Sequence, residues 1–175
     1  MNGRESSDDC SRTRRIDVAY DGDVATWGEF EADQPTLAAS VRRRFDVRKH
    51  KTMATLRSDG SPRISGIEVE FSDGQVYLGM MSGSVKLRDL RRDPRVAVHS
   101  PSEDPPGDIP ADWAGESKIA GRAVEVPVEG ATGEGDGRFS IDISEVVFTH
   151  LNEAGDRLVI ESWRPGRGFR RISRD

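Results

Sequence analysis

The run Arg63 to Phe71, RISGIEVEF, constrains the fold most, because Ile67, Val69 and Phe71 alternate with Glu68 and Glu70. A period of two is that of a β-strand with one apolar and one polar face. Similar short runs occur before it at KTMATLR and after it at QVYLGMM, RVAVHS, ESKIAGRAVEVPV, FSIDISEVVFTHL and RLVIESW, separated by glycine-, proline- and aspartate-rich breaks. Ser58 to Pro62 predicts a hairpin between KTMATLR and RISGIEVEF, and Asp73-Gly74 turns the chain back into QVYLGMM. Near Gly121 the apolar phase shifts from Ile119 to Val124, Val126 and Val128, which requires a bulge or bend. About six strands with few long helical segments predict a mainly β fold, an antiparallel barrel or sandwich rather than an alternating parallel α/β sheet.

The chain has 175 residues, which fits one domain with polar margins: a flexible N-terminal arm over residues 1 to 30 and a single domain over 31 to 175. Trp27 and Phe30 are expected to anchor the end of the arm. A helix is predicted from Pro35, capped by Asp33, with Leu37, Val41 and Phe45 on its apolar stripe. Residues 101 to 115 hold four prolines and two glycines and read as a surface loop anchored by Trp113. No apolar run approaches the roughly 20 residues of a membrane span, and the polar start MNGRESSDDCSR lacks the apolar region of a secretory signal, so a cytoplasmic location without membrane contact is expected. Cys10 is the single cysteine, which rules out an internal disulfide and a cysteine zinc site. His50, His99 and His150 are too scattered for a metal site. The formal charge of -5 opposes nonspecific binding to nucleic acid, although it leaves room for a local anion site.

Such a site is suggested by MMSGSVKLRDLRRDPR, Met80 to Arg95, where a strand runs through a serine-glycine turn into a short basic helix ended by Asp93-Pro94. Free backbone N–H groups at a helix start favour an anion, and Lys86 in the first turn opposes the helix dipole unless a negative group lies nearby. A phosphate is one reading. The other is a solvated basic face, with Asp89 and Asp93 partly neutralising Arg88, Arg91, Arg92 and Arg95.

The ordered set ATLRSDGSPRISG, DGQVYLGMM, GSVKLRDLRRDPRVAV and AGRAVEV resembles the pyridoxamine 5'-phosphate oxidase-like superfamily of flavin- and deazaflavin-binding proteins, over roughly residues 35 to 165. The resemblance implies a six-stranded antiparallel split β-barrel that forms a homodimer, with two clefts at the subunit interface holding FMN or the deazaflavin F420. It implies an oxidoreductase acting on a small-molecule substrate. By position, Ser84 and Lys86 look like phosphate-binding residues and Gly83 like the point of close backbone approach. Met80 and Met81 would lie near the cofactor, and Thr55, Ser65 and Gly66 would line the facing strands. SWRPGRG is similar to a C-terminal region that contacts cofactor, implying roles for Trp163 and for Arg164 or Arg167; otherwise Trp163 closes the barrel. His50 could approach the ring.

Three departures accompany this resemblance. Ser65, Glu70 and Val85 stand where FMN-binding oxidases of the superfamily commonly carry cations. The lysine followed by Leu-Arg-Asp-Leu looks more like the actinobacterial F420-binding branch. No residues match the substrate-binding arginine and histidine pattern of true pyridoxamine phosphate oxidases. Because the cofactor supplies the chemistry, no catalytic residue is named. The alternative is a noncatalytic module that stores or sequesters a flavin, F420 or haem in the same fold.

Overall fold

The alternation of RISGIEVEF builds a hairpin around which the other strands assemble. The computed structural model describes residues 22–105, 109–127 and 135–174. β1 (His50–Leu56) pairs antiparallel with β2 (Pro62–Ser72), and β2 with β3 (Gln75–Met80), through a two-residue turn in which Asp73 and Gly74 have φ of 51° and 69°. Positive φ at both central residues matches the right-handed twist of the flanking strands, and this is why an Asp-Gly pair sits there. After α3 (Val85–Arg92) come β4 (Arg95–His99), β5 (Glu116–Val126), β6 (Gly137–Leu151), β7 (Leu158–Arg164) and β8 (Gly168–Arg174). The sheet closes because β3 pairs β6 as well as β2, giving a six-stranded antiparallel barrel, β1-β2-β3-β6-β5-β4, from which β7 and β8 extend.

The fifteen-residue β6 holds this arrangement together. Its first residues, Gly137 to Ser140, pair with β3, and its last, Val146 to Leu151, pair with β7, while β5 runs along its other edge. Between the two partners, Ile143 is bridged by Ala25, with N···O distances of 3.0 and 2.8 Å. The register does shift at Gly121, but the extra residue lies in β6: Ala120 faces Glu145 and Gly121 faces Ile143, leaving Ser144 unopposed, while β5 itself keeps one phase, with Ser117, Ile119 and Ala123 buried and Val124 exposed. A Cβ on Gly121 would lie 2.1 Å from the Asp142 carbonyl oxygen, so only glycine allows the two backbones to approach this closely.

Helices cover one end of the barrel. α2 (Pro35–Asp46) buries Leu37, Val41 and Phe45 as its sequence predicts. Asp33 does not cap it. Gln34 occupies the cap position without a side-chain capping bond, and Asp33 ends the preceding helix, α1 (Trp27–Asp33), where its carboxylate accepts the Trp163 indole N–H at 2.6 Å. α1 starts at a capping box in which Thr26 and Glu29 satisfy each other's backbone N–H. Trp27 and Phe30 are buried from this helix; most of the arm expected over residues 1 to 30 lies outside the described residues. The rings of Trp27, Phe30, Phe71 and Trp163 form a chain of contacts, with centroids 4.7 to 5.2 Å apart, that ties α1 to the barrel. Among the described residues no helix is long and apolar enough to cross a membrane.

Gly121→Ala is expected to lower stability by about 2 to 3 kcal/mol, because β6 must shift to clear the new methyl group. Denaturant unfolding measures this, and a variant within about 0.5 kcal/mol of the parent would show that the bulge does not need glycine.

Candidate functional site

On the outer face of the barrel, the polar sides of β2, β3 and the start of β6 meet the β3–α3 turn along a groove of about 690 Å³. The strand period decides what faces it. On β2, Gly66, Glu68 and Glu70 point outward while Ile67 is buried; on β3 the outward residues are Tyr77 and Gly79, and on β6 Arg138.

The turn at one end of the groove has the form its sequence predicts. Gly83 has φ of 73°, and a Cβ there would meet nothing within 4 Å, so glycine is required by the backbone and the chain leaves the space beside it open. Ser84 is the N-cap of α3, yet its side chain makes no capping bond, and its hydroxyl is shielded from solvent with no hydrogen-bond partner among the described residues. That is an unusual state for a buried hydroxyl. Lys86 Nζ donates to the Gly66 carbonyl oxygen at 2.5 Å, joining the first turn of α3 to β2. The start of β6 passes beneath the helix: a Cβ on Gly137 would lie 2.4 Å from Leu87 Cδ1.

The far side of α3 is clamped. Asp89 is buried, and its carboxylate accepts hydrogen bonds from Arg63 (2.6 Å), Thr55 (3.0 Å) and Arg92 (3.0 Å). Burial pushes the Asp89 carboxyl up, but the bonds from Arg63, Arg92 and Thr55 outweigh it and hold the group below the usual carboxylate range. Arg91 is paired with Glu125 and Arg95 with Asp93. Arg91 and Arg92 of the helix and Arg95 just after it are therefore neutralised within the chain, in part by Asp89 and Asp93 as the second sequence reading allowed, and Lys86 is the cation of α3 that faces the groove.

Five of the ten residues marked in the sequence, Gly66, Met80, Met81, Ser84 and Lys86, line the groove, with Gly83 in the turn between them. The other four do not. Thr55 is buried against Asp89, and Ser65 falls in the inward phase of β2, opposite Met53. Trp163 is held in the core by Phe30 and Asp33, and Arg167 lines a separate cleft of about 300 Å³ beside Ser144 and Glu145. His50 sits at the groove, 3.6 Å from Glu68, whereas His99 and His150 lie elsewhere with Nδ1 against backbone carbonyls.

Sequence reasoning missed Gly79, Tyr77 and Arg138. Arg138 bonds both Glu70 carboxylate oxygens at 3.2 Å, and its guanidinium carbon lies 4.2 Å from the centre of the Tyr77 ring. Glu70 therefore does not simply replace a cation by an anion, since it pairs with an arginine that joins Lys86 as a second cation of the groove.

No protein-family model and no curated protein sequence matches the chain. Solved structures do match. PhzG from Burkholderia lata 383, in complex with tetrahydrophenazine-1-carboxylic acid, superposes with a TM-score of 0.57 at 14% identity, over 85% of this chain and 93% of that one. A pyridoxamine 5'-phosphate oxidase-related, FMN binding protein from Nostoc punctiforme PCC 73102 gives 0.56 at 10% identity, over 81% and 96%. A heme binding protein from Mycobacterium smegmatis gives 0.51 at 12% identity, over 77% and 87%. The fold is thus the split barrel of the pyridoxamine 5'-phosphate oxidase-like proteins, as the sequence resemblance implied.

Asp89→Asn is expected to cost about 2 to 3 kcal/mol at pH 7, less than a fully buried pair because Arg63 and Arg92 keep some solvent contact. A lowered folded pKa stabilises the protein above the unfolded value of about 4 and loses that contribution as pH falls through the folded one. Denaturation curves should show a constant gap between parent and variant from about pH 6 to 8 that narrows below about pH 4. A gap independent of pH would remove the ionised Asp89 from the account.

Proposed function

We infer that the groove binds FMN or the deazaflavin F420 and that the protein is an oxidoreductase transferring a hydride to or from a small organic substrate. The observation that carries this reading is the buried Ser84 hydroxyl at the start of α3, which has no partner among the described residues, beside the Lys86 ammonium and the first-turn N–H groups of the helix. A phosphate fits that donor set, accepting from Ser84 and the helix N–H groups and taking Lys86 from the Gly66 carbonyl. Met80, Met81 and the glycine positions of β2 and β3 would then border the ring system.

The bound cofactor would supply the electron chemistry. This chain's part is to fix the phosphate, seat the ring against the strands and exclude water from one side. A homodimer, implied by the resemblance, would close the open side of the groove with the second copy. Support for a flat-ring ligand comes from the shared fold with an FMN binding protein and with PhzG in complex with a polycyclic acid.

The second reading, storage of a flavin, F420 or haem without turnover, is favoured by one feature, the fold shared with a heme binding protein, together with His50 at the groove. Absorbance and mass measured on gently purified protein distinguish the three cofactors, and turnover across reductants and acceptors separates catalysis from storage.

In fluorescence titration the protein should bind FMN or F420 at micromolar affinity or better, and Lys86→Ala should weaken that binding at least about tenfold. Riboflavin, which lacks the phosphate, should bind parent and variant alike. Equal FMN and F420 affinities in parent and variant would exclude the phosphate role of Lys86.

A further inference from the structure

Two glycines form the groove floor for no reason internal to the chain. Gly66 and Gly79 lie inside strands, neither has positive φ, and a Cβ on either would meet nothing within 4 Å among the described residues. Glycine inside a strand weakens it relative to alanine and commonly marks the close approach of a ligand or another backbone. Gly79 is opposite Arg138 in the β3–β6 register, so the missing side chain leaves a flat gap beside the Arg138 backbone, next to the Tyr77 ring over which the guanidinium lies.

The carboxylates of the groove have partners of their own. Glu68 lies 3.2 Å from Lys49 and 3.6 Å from His50, and Asp136 accepts the Ser82 N–H at 2.7 Å. Glu70 accepts from Ser72 at 2.9 Å and from Arg138 at 3.2 Å. The Glu70 side chain is 59% exposed, and an ion pair this open to solvent contributes little and is readily exchanged. The Tyr77 ring holds the guanidinium in place by a contact that does not use its N–H groups.

We propose that Gly79 and Arg138 form a second subsite for a planar organic acid, whose flat body rests on Gly79 and whose carboxylate displaces Glu70 from Arg138. The subsite lies in the same groove as the Ser84–Lys86 end and rests on the reading of that groove as a ligand site. It assigns the substrate class as a flat carboxylic acid. Glu70 keeps the guanidinium paired when no acid is present and returns to solvent when one binds. Binding is an exchange of ion pairs, with no covalent step.

Benzoate tests this on the full chain without any cofactor. With isotope-labelled protein, benzoate should shift the Gly79 amide and the Arg138 Nε–H resonances saturably, with an affinity in the millimolar range expected for a ligand of about nine heavy atoms. Benzamide, the same shape without the charge, should bind at least about tenfold more weakly. Arg138→Gln should abolish the shifts, and Glu70→Gln, which keeps the size and removes the competing charge, should tighten binding by about threefold. Gly79→Ala should weaken benzoate at least about tenfold while its melting temperature stays at or above that of the parent, because the new methyl group fills only the groove. Absence of saturable shifts at Gly79 and Arg138, or equal binding of benzoate and benzamide, overturns the subsite whatever FMN does. Benzoate binding with no affinity for FMN or F420 would leave the subsite standing and sink the cofactor reading instead.

Discussion

The structure depends on β6 pairing with three strands at once. An ordinary strand has two edges and so two neighbours; β6 serves β5 on one edge and divides the other between β3 and β7. The division is possible because the bulge at Ser144, opposite Ala120 and Gly121, bends the strand where its partner changes, and bulges increase local twist. Ala25 fills the gap between the two partners, so the backbone groups of Ile143 are not left unpaired. Without this bend the barrel could not close through β3 and still extend through β7 and β8.

Closure through β3 also creates the groove. It sets Arg138 beside Gly79 and Gly137 beside Met80, and it brings the start of β6 beneath Leu87 of α3. The helix is held from its other side by Asp89, which gathers Thr55 of β1, Arg63 of β2 and Arg92 of its own last turn. A single buried carboxylate thus fixes the direction of α3 and therefore where Ser84 and Lys86 face. Its ionisation and the position of the groove are linked through that contact.

Much of the fold was legible because it rests on local chemistry. Asp73-Gly74, the apolar stripe of α2 and the turn before α3 each announce themselves within a few residues, whereas the irregularity beside Gly121 falls on Ser144 of the neighbouring strand and not on a change of phase in β5. α1 was not read as a helix because seven residues give too little periodicity, although Thr26 and Glu29 carry a capping box. β8 escaped because GFRRISR is an exposed edge strand, paired among the described residues only with β7, where arginines are compatible with solvent and blunt the edge. Of the groove, the contiguous Met80 to Lys86 end was visible. Arg138 was not, since it meets Glu70 across a sequence separation of 68 residues. Thr55 and Trp163 were marked by position, but a buried carboxylate and a core of aromatic rings claim them.

By itself the sequence determined a set of antiparallel strands, the Asp73-Gly74 turn between two of them, and a serine-lysine turn opening a basic helix. Each follows from interactions among near neighbours: side-chain alternation, φ preferences and helix-end hydrogen bonding. Which strands share β6, which arginine enters the groove, and which cation of α3 faces it were decided only by the tertiary structure. Those outcomes depend on closing the barrel, and closure brings together groups whose separation along the chain leaves no local trace of their contact.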